Sequence, residues 1–126
     1  MTPTQIIGAF RARLLTLPNA PAIVWEDEHA DPARPYLAVQ HVPASRVEPG
    51  MAGGGAYTTG YFAVTVVTAR GQQSHPAHAI AAGIIAHFPK ALPLGRLRIT
   101  GARLANPGFT DGTDYRLPVR IDYIAT

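Results

Sequence analysis

The strand-forming run at residues 57–69 constrains the fold more than any other part of this sequence. β-Branched residues dominate it, which favours an extended strand over a helix. Its alternate positions form two sets that are both largely apolar: Phe62, Val64 and Val66 in one, and Tyr61, Ala63, Thr65 and Val67 in the other. Two apolar faces are typical of the middle of a sheet, so we expect a central strand covered on both sides.

Residues 115–124 form a second strand with a cleaner alternation between an apolar and a polar face. Pro118 has no N–H to donate to a neighbouring strand. The strand should therefore lie at a sheet edge or have one unpaired position. The two faces carry Leu117, Val119, Ile121 and Tyr123 on one side, and Arg116, Pro118, Arg120 and Asp122 on the other.

The N-terminal residues carry the signals of a helix start. Thr2 can cap a helix, Pro3 suits its first position, and Gln5 completes a capping box. We expect the helix to end before Pro18. Its apolar stripe consists of Ile6, Phe10, Leu14 and Leu17, with Ile7 beside it. Two arginines on the far face should be solvated: Arg11 and Arg13.

A second helix is predicted over residues 75–88, with Ser74 as its N-cap and Pro89 just beyond its end. One face of this helix is apolar at the spacing that buries a stripe against a core. That stripe consists of Ala77, Ile80, Ala81, Ile84, Ile85 and Phe88.

Shorter strands are predicted at residues 22–26, 36–42 and 95–104, and residues 106–114 should form a long turn. The order is then helix, three strands, helix, two strands (α-β-β-β-α-β-β), which indicates the α+β class. We expect a mostly antiparallel sheet of four to five strands with two helices packed on one face. Residues 1–126 are too few for two full cores, so we expect a single domain.

The composition excludes several classes of protein. The chain has no cysteine, which excludes disulfides and thiolate metal sites. Its eleven basic side chains are ten arginines and one lysine, and its net charge of +3 is too small and scattered for a nucleic-acid groove. Charged residues make up only 15% of the chain, so either other subunits cover part of the surface or the genome has a codon bias.

No stretch of the sequence is apolar for long enough to span a bilayer, and the N-terminal residues lack the pattern of a secretory signal. We therefore expect no membrane partner, and a protein of the cytoplasm or of an assembled particle.

Residues 43–56 join two predicted strands and are rich in glycine. A phosphate-binding loop places its glycines between a strand and a helix, whereas this segment leads into a strand with no lysine after it. We expect a long flexible loop that either becomes ordered against a partner or merely provides slack. The glycines are Gly50, Gly53, Gly54 and Gly55.

Candidate metal ligands are sparse. His75 and His78 are three residues apart, a spacing that could place two ligands on one helix face, whereas His41 is isolated. An acidic patch at residues 26–31 could bind a cation, form a solvated turn or pair with a basic neighbour. Metal or small-ligand binding through these groups is the alternative function. The acidic residues of the patch are Glu26, Asp27, Glu28 and Asp31.

The sequence offers no catalytic motif. Its two serines, Ser45 and Ser74, lie outside the common nucleophile motifs, and no orienting carboxylate accompanies them. We therefore expect neither an enzyme nor a cofactor.

Taken together, the pattern resembles the tail terminator proteins of long-tailed bacteriophages, with relatives in prophages and gene transfer agents. The similarity lies in the order and spacing of the elements and extends over nearly the full chain. Four stretches carry it: IVWEDE, GYFAVTVVTARG, AIAAGIIAHFP and PGFTDGTDYRLPVRIDY.

The resemblance implies a structural protein of virion assembly. Tail terminators form a ring, typically a hexamer, that caps the tail tube, stops its polymerisation and offers a surface to head-completion or connector proteins. DNA would only pass through the ring lumen. The protein would assemble in the host cytoplasm and then remain in the tail of the virion or phage-like particle. We expect contacts with partners at Arg46, Glu48, Met51, Tyr57, Arg116 and Arg120.

Overall fold

A computed structural model describes residues 2–26, 28, 31–47, 56–69, 71, 75–105 and 107–126. These residues form two helices and seven strands. In chain order the elements are α1 (Pro3–Leu14), β1 (Ala22–Trp25), β2 (Tyr36–Val47), β3 (Tyr57–Ala69), α2 (His75–His87), β4 (Pro93–Leu94), β5 (Leu97–Leu104), β6 (Phe109–Asp111) and β7 (Asp114–Ala125).

All seven strands belong to one sheet with the order β1-β2-β3-β7-β5-β4, and β6 also pairs with β7. β1 and β2 are parallel, and every other pair is antiparallel. The predicted sheet of four to five strands was therefore too small, and the sheet is mixed. The two extra strands, β4 and β6, have only two and three residues, which is too short to produce a periodic sequence pattern.

β3 lies between β2 and β7, which confirms its central position. Its even-numbered residues from Phe62 to Val66 are buried against the helices. On the opposite face Val67 is fully buried, whereas Tyr61, Ala63 and Thr65 are partly exposed. The prediction that β3 is covered on both faces is therefore correct only near Val67.

The proline of β7 lies in the interior of the sheet, so its predicted placement on an edge strand was wrong. On the side of β7 away from β3, the pairing with β6 reaches Arg116 and the pairing with β5 begins at Val119. The carbonyl oxygen of Pro118 accepts a hydrogen bond from the Ala105 N–H on this side (3.1 Å). In a strand the N–H and C=O of one residue point the same way, so the Pro118 nitrogen, which carries no hydrogen, faces the gap between β5 and β6. The alternative prediction, one unpaired position, is confirmed.

Both helices pack on the same face of the sheet, as predicted. Thr2 and Gln5 form the predicted capping box at the start of α1. The Phe10 ring stacks on Phe62 with centroids 3.8 Å apart and on Phe88 at 5.0 Å, which joins both helices to β3. These rings lie at the centre of a single buried core.

Of the two arginines of α1, Arg13 is engaged rather than solvated, in contrast to the prediction, whereas Arg11 is exposed. Arg13 donates two hydrogen bonds to the carbonyl oxygen of His87 (3.0 and 2.9 Å), an unpaired acceptor at the end of α2. The guanidinium of Arg11 lies over the Trp25 ring, 4.9 Å from its centroid. Arg13 therefore ties the end of one helix to the other.

The predicted loop at residues 43–56 is partly strand. β2 continues to Val47 and pairs with the first residues of β3, with a register shift between Pro43 and Ser45. A bulge of this kind lets a strand continue past a proline. The glycines at positions 50 and 53–55 lie outside the described residues, as does Ser74, the predicted cap of α2.

Candidate functional site

The sheet face opposite the helices carries a row of arginines. Side chains alternate between the two faces of a strand, so residues paired with Ala63 and Val67 of β3 point away from the helices. These partners are Arg120 and Arg116, and Arg103 of β5 in turn pairs with Arg120. We call this surface the arginine face; its arginines are Arg98, Arg103, Arg116 and Arg120.

One group on this face is centred on a single carboxylate, and we call it the Asp122 cluster. Arg120 donates to Asp122 at 2.8 Å, and Arg103 approaches the other carboxylate oxygen at 3.4 Å. The Arg120 guanidinium also lies 3.9 Å from the centroid of the Tyr61 ring. Two cations share one anion here, so the cluster keeps a net positive charge.

A second group, the Asp114 cluster, joins the segment before β2 to the start of β7. Arg34 donates to both carboxylate oxygens of Asp114 (2.8 and 3.0 Å) and to Asp31 (2.6 Å). Arg116 pairs with Asp111 at 3.1 Å and lies 3.9 Å from Asp114. The hydrogen bonds from Arg34 hold the pKa of Asp114 below its ordinary value. This cluster has more carboxylates than guanidinium groups.

A polar pair lies on the helix side of the sheet. Nε2 of His41 is 2.6 Å from the Tyr123 hydroxyl, and the imidazole stacks on Phe62 with centroids 4.7 Å apart. Burial lowers the pKa of His41 and raises the pKa of Tyr123, so both groups favour their neutral forms. The carboxylate of Glu26 accepts from the His41 backbone N–H (3.3 Å) rather than from the ring.

A cavity of about 230 Å³ adjoins this pair between α1 and the sheet. Ile7, Trp25 and Phe62 form apolar walls, and Arg11 and Glu26 contribute charged groups. The histidine borders the cavity with its ring engaged by Tyr123, which holds it in place as part of the packing.

The predicted contact residues do not form one site. Arg116 and Arg120 share the arginine face but belong to different clusters. Arg46 and Tyr57 lie where the β2–β3 pairing ends, and their register partners are Thr58 and Val47. Glu48 and Met51 lie outside the described residues.

The structure describes only part of the predicted metal-ligand set, and Asp27 lies outside it. His78 is exposed on α2, and the side chain of His75 lies outside the described part. Within the acidic patch, Glu26 accepts from His41 and Asp31 pairs with Arg34. Across the residues that the structure describes, no group of three or more His, Cys, Asp or Glu is placed to hold a metal ion. No helix in that part of the chain has the length and apolarity to cross a bilayer.

Three arginines of the clusters and the arginine face were not singled out in the sequence: Arg34, Arg98 and Arg103. The folded chain, rather than a local motif, brings Arg34 and Arg103 near their carboxylate partners. The alternation of residues 115–124 placed Asp122 beside Arg116 and Arg120 on one face, which was the one signal available.

Comparison with known proteins points to one family. A family model described as phage tail terminator protein matches residues 5–123. Among curated proteins none matches the chain. One similar solved structure, which bears no functional name, is 27% identical with a TM-score of 0.71, covering 100% of this chain and 96% of its own. Tail terminators are structural proteins of phage tails. Because the match extends over almost the whole sequence, the chain belongs to the phage tail terminator protein family.

Proposed function

We propose that this protein forms a ring, a hexamer by analogy with its family, that caps the tail tube and stops its polymerisation. The ring then offers its other surface to a head-completion or connector protein, and DNA only passes through its lumen. The family match over residues 5–123 is the observation that carries this proposal.

The composition of the arginine face supports a role in assembly. Neither α1 nor α2 packs against this face, and it combines arginines with the aromatic ring of Tyr61. Arginine and aromatic residues are enriched at protein interfaces, whereas lysine is depleted. The chain has ten arginines and a single lysine, Lys90, which follows α2 in the chain.

We propose two contact regions on a single domain of residues 1–126. Arg116 and Arg120 belong to the surface between neighbouring copies. Arg46, Glu48, Met51 and Tyr57 lie in or beside the β2–β3 connection, which we assign to contact with a neighbouring subunit or the tail tube. Assembly takes place in the host cytoplasm, and the protein then remains in the tail of the virion or phage-like particle.

Electron microscopy of purified tail tubes mixed with the protein tests this function. We expect a ring of density at one end of each tube and none along its length. Tubes without density at either end, at protein concentrations well above that of tube ends, would refute a capping role.

A further inference from the structure

The acidic side chains that the structure describes form two groups, those with an arginine partner and those without one. Each aspartate of the described part has an arginine within ion-pair distance in the same chain: Asp31, Asp111, Asp114 and Asp122. Glu26 and Glu28, both exposed, have no such cation among the residues that the structure describes. The chain therefore displays negative charge just after β1 without a direct ion pair, although Arg11 and Arg116 border the same cavities as Glu26.

The arginine face shows the opposite imbalance. Arg103 shares the carboxylate of Asp122 with Arg120, and its side chain is 64% exposed. Arg98 lies on the same face, opposite Ile124, and is exposed with no carboxylate in ion-pair distance in the described ranges. Positive charge in excess is thus displayed on β5.

These glutamates and the β5 arginines lie far apart in one molecule, whereas Arg116 of the arginine face borders the same cavity as Glu26. β1 is at one edge of the sheet, and the order β1-β2-β3-β7-β5 places four strand spacings between it and β5. At about 4.8 Å per spacing this separation is roughly 19 Å, about twice the distance over which salt screens charges at physiological ionic strength. The glutamates and the β5 arginines therefore cannot neutralise each other within one chain.

We propose that Glu26 and Glu28 of one copy pair with Arg98 and Arg103 of the next copy, which makes the arginine face the head-to-tail interface of the ring. This inference rests on the ring proposed above and assigns its contact surface. Because the two halves of the contact are at different places on the chain, each copy offers one of each. In such a heterologous contact, both charged surfaces of every copy are paired only if the rotation from one copy to the next closes into a ring.

The chemistry of the face favours a protein over a nucleic acid as the occupant. Arg120 is already held by a carboxylate and an aromatic ring, and three aspartates on or beside this face would repel phosphates. Carboxylates on a second copy are instead complementary to Arg98 and Arg103, the exposed arginines of this face. Charges across an interface chiefly set partner choice and register, which suits subunits that must meet in one orientation.

A charge-swap experiment tests the interface. Variant A carries Glu26→Arg and Glu28→Arg, variant B carries Arg98→Glu and Arg103→Glu, and variant AB carries all four changes. Assembly is measured by sedimentation with and without tail tubes. We expect A alone and B alone to require at least about tenfold more protein to assemble, because each places like charges opposite one another. An equimolar mixture of A and B, and AB alone, should assemble like the unmodified protein.

Lys90→Glu is the matched control, since it reverses an exposed charge that belongs to neither half of the proposed contact. Thermal unfolding checks the fold of each variant, and the neutral pairs E26Q/E28Q and R98Q/R103Q repeat the test with smaller perturbations. One outcome would overturn this interface and leave the ring intact. In it the unmodified protein forms rings, and variants A and B each assemble as well as Lys90→Glu does. An unmodified protein that stays monomeric even with tubes would overturn the ring itself. Loss of DNA-oligonucleotide binding in B, with assembly unchanged, would assign the face to nucleic acid instead.

Discussion

The imidazole of His41 on β2 and the hydroxyl of Tyr123 on β7 meet across β3 at 2.6 Å, although the two residues are 82 positions apart in the chain. Their rings surround Phe62, with Tyr123 at 5.5 Å and His41 at 4.7 Å between centroids. The pair satisfies the one polar atom of a tyrosine that is almost completely buried. It therefore joins three strands under the N-terminal helix.

Replacing Tyr123 with Phe should lower the free energy of unfolding by about 0.5–1.5 kcal/mol, the usual net value of one hydrogen bond. Chemical denaturation with urea measures this change. Tyr57→Phe is the control, because the hydroxyl of Tyr57 makes no hydrogen bond among the residues that the structure describes, and the stability of this variant should stay unchanged. Equal losses in both variants would show that the His41 contact contributes nothing.

The same histidine should make stability depend on pH. Burial lowers the pKa of His41 in the folded protein, so below about pH 6.5 the unfolded chain binds a proton that the folded chain does not. Stability should therefore fall as the pH decreases from about 6.5 to the folded pKa. Thermal unfolding between pH 5 and 8 checks this. His41→Gln should flatten the profile in that window, and an unchanged slope would assign the effect to another group.

Gly60 leaves room for the Tyr123 ring. A Cβ at this position would lie 2.7 Å from the Tyr123 hydroxyl oxygen and 2.7 Å from the carbonyl oxygen of Val42. Gly60→Ala should therefore destabilise the fold by about 1–3 kcal/mol, as overpacking does. Gly83→Ala is the matched control: its Cβ would have no atom within 4 Å, and α2 should gain about 0.5–1 kcal/mol. Denaturation curves in which the two variants shift in the same direction would refute this account.

The ion pair between Arg34 and Asp114 should protect the fold at neutral pH. Hydrogen bonds from Arg34 lower the pKa of Asp114, so its contribution is present above the ordinary aspartate pKa and is lost as pH falls through the lowered folded value. Asp114→Asn should reduce the melting temperature at pH 7 more than Asp111→Asn does, since the Asp111 side chain is 64% exposed. The difference between these variants should shrink in acid. Indistinguishable melting temperatures at pH 7 would show that the bidentate pair is unimportant.

The sequence predicted the elements with strong periodicity and missed those set by pairing. β3 and β7 carry long alternating patterns, so their positions were predicted to within a residue or two. The segment Pro43–Val47 contains a proline and polar residues, which is typical of a loop, yet it continues β2 because β3 offers a partner beyond the bulge. Pairing of this kind is a property of two distant segments and leaves little trace in either one.

The candidate site was less predictable than the fold for the same reason. Arg34 and Asp114 are 80 positions apart, and Arg103 and Asp122 are 19 apart. Each residue alone is compatible with a solvated surface position. Only the register of β7 with its neighbours on both sides decides which arginine reaches which carboxylate.

The central claim, that this protein caps the tail tube, is tested most directly by the length of tubes grown from purified tail tube protein in its presence. Growing tubes receive the unmodified protein at increasing ratios to tube ends, and electron microscopy measures their lengths. We predict that tubes stop growing once the ends are saturated, with the final length set by the time of addition. Tubes that continue to grow at the same rate with saturating protein would contradict it.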